Sequence, residues 1–228
     1  MQDFHVIVVA GGSGSRMKSV LPKQFLTIAG KPLLMYTLEQ FSRVFPQIEP
    51  ILVLPANHHA TWKKLVEEFS FEIKHHLVEG GESRFHSVKN GLANIPSGMV
   101  AIHDGVRPFV SADTIKRVFS TASEKGNAIP VISLKDSIRK IDAEGKSLAL
   151  NREDYVLVQT PQCFRVSEMK LAFQQNYSEH FTDCASVMES AGYSMNLVEG
   201  NTENIKITTP EDLQYAEMLY LSGSNSSS

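Results

Sequence analysis

Hydrophobic positions along this chain alternate between two rhythms. Nearly continuous apolar runs at residues 6–9, 51–54, 100–103, 128–132 and 155–159 have the length and side-chain character of buried strands, and a further strand is expected over 71–78. Between them apolar residues recur every three or four positions, as at Leu33, Leu34, Tyr36, Phe41 and Val44, with Pro32 placed as a first helical residue. The same rhythm predicts helices over 60–69, 83–95, 111–126, 167–177, 183–191 and from 210 onward. Start and stop residues sharpen several of these: Ser111 with Thr114 behind it, Gly126 as a stop, Thr182 as a cap, and Thr209-Pro210-Glu211-Asp212 as a helix start. Short strands are expected at 195–198 and 205–208, and Pro130 points to an edge or a bulge in its strand. Strands alternating with helices predict an α/β fold, a Rossmann-like, mostly parallel twisted sheet with helices on both faces.

Residues 135–154 break the rhythm. Ile138, Ile141 and Leu148 stand among charges on either side of the turn sequence Asp142-Ala143-Glu144-Gly145, which reads as a protruding β-hairpin arm. A lone two-stranded arm is marginal in water, so it should rest on something, and a second copy of the chain is the expected support. The expected organisation is one domain over residues 1–221, arm included, with a disordered low-complexity tail at 222–228.

Composition narrows the function classes. A chain of 228 residues with a net charge of −3 can build one large core and has no bulk positive charge with which to hold nucleic acid or an anionic membrane. Its apolar runs are far shorter than a bilayer span, and Asp3 and His5 interrupt any signal-peptide pattern, so the cytoplasm is the expected location. Two cysteines, Cys163 and Cys184, make no disulfide framework.

The chemistry concentrates at the end of the first strand. Val6-Ile7-Val8-Val9-Ala10 runs into Gly11-Gly12-Ser13-Gly14, with Arg16 and Lys23 close behind. Glycines let the backbone turn sharply and approach a ligand, successive N–H groups make an anion-binding concavity, and the two cations reinforce it. The loop is neither a Walker loop, which needs a Lys-Ser/Thr pair after its last glycine, nor a dinucleotide fingerprint, since Met17 stands at the third glycine position. A polyphosphate site is the leading interpretation.

Ala10-Gly11-Gly12-x-Gly14-x-Arg16-Met17 followed by Pro22-Lys23-Gln24 resembles the signature of the nucleotidyltransferases, specifically the cytidylyltransferases that make CDP-alcohols. The resemblance continues in order through Glu79-Gly80-Gly81-Glu82-Ser83-Arg84, His103-Asp104-Gly105-Val106-Arg107-Pro108, Gln159-Thr160-Pro161-Gln162, Thr182-Asp183 and Asn204-Ile205-Lys206-Ile207-Thr208. It implies transfer of CMP from CTP to a polyol phosphate, methylerythritol phosphate first and ribitol 5-phosphate second, with release of pyrophosphate. It implies Mg²⁺ held through the CTP phosphates, with Asp104 as a candidate protein ligand, no organic cofactor, and a homodimer joined through the arm.

Roles follow from the same resemblance. Arg16, Lys23 and Lys206 would be catalytic; Ala10, Gly11, Gly12, Gly14, Gly81, Glu82, Ser87 and Asp104 would bind the nucleotide. Asp104, Arg107, Ser137, Arg152, Thr160, Thr182 and Lys206 would hold the alcohol phosphate, with Ser137 and Arg152 presented to the other subunit from the arm. Glu82 stands where the family often has Asp, and Ser137 where it usually has Thr. A phosphate nucleophile, largely dianionic at neutral pH, needs no general base, so fixed cations are the expected machinery.

Other features read as structure. His58-His59 and His75-His76 lack further ligands at metal spacing, His103 completes a buried strand, Trp62 and the Phe residues at helical spacing belong to the core, and Arg139, Lys140 and Lys146 form a solvated arm surface.

Overall fold

A computed structural model describes residues 3–11 and 22–224. Strand β1 (Phe4–Val9) lies at the centre of the main sheet, parallel to β4 (Ile51–Leu54) on one side and to β6 (Met99–Asp104) on the other. Beyond β4 lies β5 (His76–Glu79), also parallel. Beyond β6 the sheet changes sense: β11 (Gln162–Arg165) runs antiparallel to β6, then come β7 (Asn127–Ser133) and β10 (Val156–Val158), with β12 (Leu197–Glu199) on the far edge of β7.

The apolar run of β1 is buried on both faces, as its sequence predicts. Val6 and Val8 point into one core with Leu52, Leu54, Phe41 and Phe119, while Ile7 and Val9 point into the other with Val53, Val88 and Phe164. Helices α1 (Leu33–Val44), α2 (His59–Glu68) and α4 (Ala112–Lys125) contribute to the first core; α3 (Arg84–Leu92), α5 (Val166–Ala172) and α6 (Cys184–Ser190) contribute to the second. Helix α4 is capped by the Ser111 side chain and ends at Gly126 with φ 95°, the left-handed conformation that favours glycine. Helix α7 (Pro210–Ser224) packs on a small ribbon of β2 (Thr27–Ile28) and β3 (Lys31–Pro32).

The arm matches its predicted place. Strands β8 (Ile138–Ile141) and β9 (Ser147–Leu150) pair antiparallel, and Asp142 Oδ1 accepts the backbone N–H groups of Glu144 and Lys146 across the turn. Ile141 and Leu148 are two-thirds exposed, and the neighbouring β10 exposes Val156, Leu157 and Val158.

Several expectations need correction. The strand expected at 71–78 is reduced to His76–Glu79, because residues before it are held by side chains: Trp62 Nε1 donates to His75 Nε2 at 2.8 Å and packs edge-on against Phe71. Residues 205–208 form no ladder; the Ile207 N–H donates to Val106 O, and the Thr208 N–H and hydroxyl donate to Asp212 Oδ2. β11 has no predicted counterpart, because Gln162 and Arg165 at its ends break any apolar run. Asp183, and not Thr182, caps α6; its carboxylate accepts Ser186 N–H at 2.8 Å. Pro32 precedes α1 as its cap position. Pro130 sits inside the sheet and the irregularity lies opposite it, where residues 159–161 separate β10 from β11 and Gln159 N–H donates to Pro130 O. Helix α7 continues to Ser224, into the expected tail, with Ser222 Oγ bonding back to the Met218 and Leu219 carbonyls.

Candidate active site

The chain reverses its direction of growth between β1 and β6, and at such switch points ligands bind beyond the carboxyl ends of the strands. There a cleft of about 370 Å³ opens, lined by Ala10 and Gly11 after β1 and by Lys23 and Gln24 from a short 3-10 turn. Gly81, Glu82, Ser83 and Arg84 line it from the β5–α3 turn, Ser87 from α3, Asp104 from the end of β6, and Lys206 from the loop before α7. Of the predicted residues, Ala10, Gly11, Lys23, Gly81, Glu82, Ser87, Asp104 and Lys206 therefore share one site. Gly12, Gly14 and Arg16 lie outside the described residues.

Local sequence explains how the walls come so close. A Cβ on Gly105 would sit 2.9 Å from Ala10 Cβ and 3.0 Å from Leu34 Cδ1, so only glycine lets the turn after Asp104 pack onto β1 and α1. The Gly81 N–H donates to Ser87 Oγ at 3.1 Å, locking the β5–α3 turn, while Ser83 caps α3.

Asp104 is the electrostatic centre. Its Oδ2 meets Lys206 Nζ at 2.9 Å and Arg107 Nε at 3.5 Å; its Oδ1 meets Arg84 Nη2 at 3.3 Å. Burial alone pushes the carboxyl pKa up, but Arg84, Lys206 and Arg107 outweigh it and hold Asp104 far below the usual carboxylate range. One buried anion thus gathers cations from three separate segments.

A second layer fixes that centre. The Asp104 N–H donates to Thr160 Oγ1 at 3.1 Å, and Thr160 Oγ1 lies 3.1 Å from His103 Nδ1. The other ring nitrogen, Nε2, lies 3.0 Å from Arg107 O, an acceptor only, so Nε2 carries the proton and Thr160 donates to Nδ1. Burial pushes His103 down to about 4, so the ring is neutral and serves as a brace. Lys206 is delivered by the 200–208 loop, which hangs from Gln159: Gln159 Nε2 donates to Asn201 O at 2.9 Å, Asn204 Nδ2 donates to Thr160 O at 2.8 Å, and Arg107 Nη1 donates to Asn204 O at 2.7 Å. Gly200 passes directly against Gln159 Oε1.

Other predicted residues sit elsewhere. Thr160 is buried behind Asp104 and supports it. Thr182 is exposed beside the α6 cap, and Ser137 and Arg152 are exposed at the base of the arm, where Arg152 Nη1 donates to Lys135 O. Sequence reasoning gave no role to Arg84, which lines the cleft and donates to both Asp104 Oδ1 and Cys184 Sγ. A signal was present: a cation in the first turn of α3 opposes the helix dipole, and so is placed there for another contact.

Among the described residues no cluster of three or more His, Cys, Asp or Glu side chains could cage a metal ion. With one carboxylate already surrounded by cations, the donor set fits a Mg²⁺ that arrives on phosphates better than a resident ion.

A family model described as 2-C-methyl-D-erythritol 4-phosphate cytidylyltransferase matches residues 4–222. The chain belongs to that family. Curated relatives of that name are 52% identical over 214 residues in Bacteroides fragilis, covering 93% of this chain and 97% of the relative, and 50% identical over 216 residues in Phocaeicola vulgatus, covering 94% and 98%. Among solved structures, the 4-diphosphocytidyl-2C-methyl-D-erythritol synthase of Anaerococcus prevotii superposes with a TM-score of 0.82 at 27% identity, covering 96% of each chain. The family's enzyme from Thermus thermophilus gives 0.77 at 30% identity, covering 94% of this chain and 97% of that one. The sheet order and the Asp104 cluster described above are therefore features of a family member, and no described helix is long and apolar enough to cross a membrane.

Proposed function

We propose that this chain transfers CMP from CTP to 2-C-methyl-D-erythritol 4-phosphate, releasing pyrophosphate and making CDP-methylerythritol for isoprenoid precursor synthesis in the cytoplasm. The observation that carries the reading is the gathering of Lys23, Arg84 and Lys206 around one nucleotide-sized cleft in a chain matched to this family from residue 4 to 222. A phosphate oxygen of the polyol phosphate forms a bond to the α-phosphorus of CTP, and the bond from that phosphorus to the bridging oxygen breaks as pyrophosphate leaves. Two polyanions must approach one another, so positioned cations lower the barrier more than any proton transfer would.

The assignments on the nucleotide side are Ala10, Gly11, Gly81, Glu82 and Ser87 for CTP, with Gly12, Gly14 and Arg16 of the glycine loop, and Lys23 against the triphosphate. Lys206, Arg107 and Asp104 face the second substrate, and Asp104 offsets the repulsion among the cations until phosphate arrives. Mg²⁺ bound to the triphosphate would neutralise charge on the leaving group, and Asp104 would be its candidate protein ligand. Ser137, Arg152 and Thr182 complete the polyol phosphate site in a homodimer: the exposed Ile141 and Leu148 of the arm and the exposed Val156, Leu157 and Val158 of β10 are covered by a second copy, which receives Ser137 and Arg152.

Pyrophosphate release should be measured with CTP and Mg²⁺ in the presence of methylerythritol phosphate or ribitol 5-phosphate. Turnover is expected with the former; preference for ribitol phosphate, or no release with either, overturns the reading.

A further inference from the structure

Gln24 is an anomaly. It follows Lys23 on the 3-10 turn, is 1% exposed, and lines the cleft, yet neither its Oε1 nor its Nε2 has a hydrogen-bond partner among the described residues. The protein's other fully buried glutamines are satisfied: Gln159 bonds the 200–208 loop, and Gln162 donates to Asp183 and accepts the Cys184 and Ala185 N–H groups at the head of α6. A buried amide without partners destabilises the folded protein, and such a group in a native chain calls for an explanation.

The turn cannot relieve the problem by moving. Phe25, its next residue, is 1% exposed, stacks against Trp62 at 6.3 Å and meets His58 edge-on at 5.8 Å. Phe25 N–H to Pro22 O and Leu26 N–H to Lys23 O close the backbone. The backbone at Gln24 is thus fixed at the cleft wall, and rotation of its side chain is what brings the buried amide to a ligand.

From this geometry we infer that Gln24 is a nucleotide-recognition residue whose amide is completed by a ribose hydroxyl of the bound nucleotide. The inference rests on the reading of the cleft as a CTP site. Phosphate oxygens only accept, so they would satisfy Nε2 and leave Oε1 stranded. A hydroxyl both donates and accepts, and in a CTP bound as proposed the ribose would lie between the phosphates at Lys23 and the base at Gly81 and Ser87, all of which line the cleft with Gln24. The amide therefore favours a nucleotide that keeps this hydroxyl over one that lacks it, at the expense of stability in the empty protein.

The test pairs two readouts on the full chain carrying Gln24→Leu, with Gln24→Met as the unbranched alternative. Thermal melting without nucleotide should rise by about 2–4 °C, since an unpaired polar group is removed; a residue with only a structural role would lower it. Calorimetry should show CTP binding about tenfold weaker than in the wild-type protein, the size of one neutral hydrogen bond. Affinity for 2′-deoxy-CTP or for 3′-deoxy-CTP, whichever lacks the partner hydroxyl, should be the same in both proteins. Equal loss for all three nucleotides, no loss for any, or a lowered melting point overturns the assignment while leaving the CTP reading intact. If the wild-type protein itself binds no CTP, the CTP reading falls and this assignment with it.

Discussion

The cleft end of β6 and the β8–β9 arm both carry clustered charge, and they treat it in opposite ways. At the cleft, Arg84 and Lys206 come from segments distant in the chain and join Arg107, three residues on, around the buried Asp104 carboxylate. On the arm, Arg139, Lys140 and Lys146 lie close in sequence and exposed, and the Arg139 side chain bonds Ser147, diagonally placed on the facing strand. The first arrangement needs the whole fold to assemble it; the second needs only a hairpin. Charge held by long-range contacts is poised for a ligand, whereas charge held locally is mostly hydrated surface.

The sharpest way to break this comparison is to ask whether the arm nevertheless reaches a neighbour's cleft. Lys23→Ala should lower the turnover rate by roughly 10²–10⁵, as loss of a fixed cation does in related transfers. Arg152→Ala should also impair turnover if the arm serves the partner. Mixing the two variants after unfolding together and refolding should then restore about a quarter of wild-type activity, because random pairing places both lesions in one site of each mixed dimer and leaves the other whole. No recovery on mixing would return Arg152 to its own chain's surface.

A middle-sized effect tests the carboxylate. Asp104→Asn leaves Arg84, Arg107 and Lys206 facing one another and should destabilise the fold by about 3 kcal/mol, discounted for the half-exposed lysine, as read by denaturant unfolding. The folded pKa of Asp104 lies below its unfolded value, so its stabilisation is fully present above the unfolded value of about 4 and is lost as pH falls towards the folded one. The acid limb of the stability curve should therefore be shallower in the variant; an unchanged limb would mean the three cations do not act through this group. The smallest effect belongs to the arm: Arg139→Ala should change unfolding free energy by less than about 0.5 kcal/mol.

How far the sequence announced all this follows the same division. β1, β4, β6, the capped helix α4 and the arm turn were legible because each is decided locally, by an apolar run, a Ser–Gly pair of ends, or an Asp-Ala-Glu-Gly turn. β11 was not, because its strand character comes from pairing with β6 and β7 and not from its own residues. Lys206 was legible only through family resemblance, since the path that brings it to Asp104 runs through Gln159 and Asn204. Arg84 was overlooked for a related reason: its meaning lies in a contact with Asp104, in a different segment of the chain.

Gly200 shows what such a suspended loop implies for inheritance of the activity. Any side chain at that position would overlap Gln159 Oε1 and unhook the segment carrying Lys206. A single exchange there could silence the protein while every group that meets a ligand stays unaltered, so a survey of inactivating changes would mark a position with no chemistry of its own.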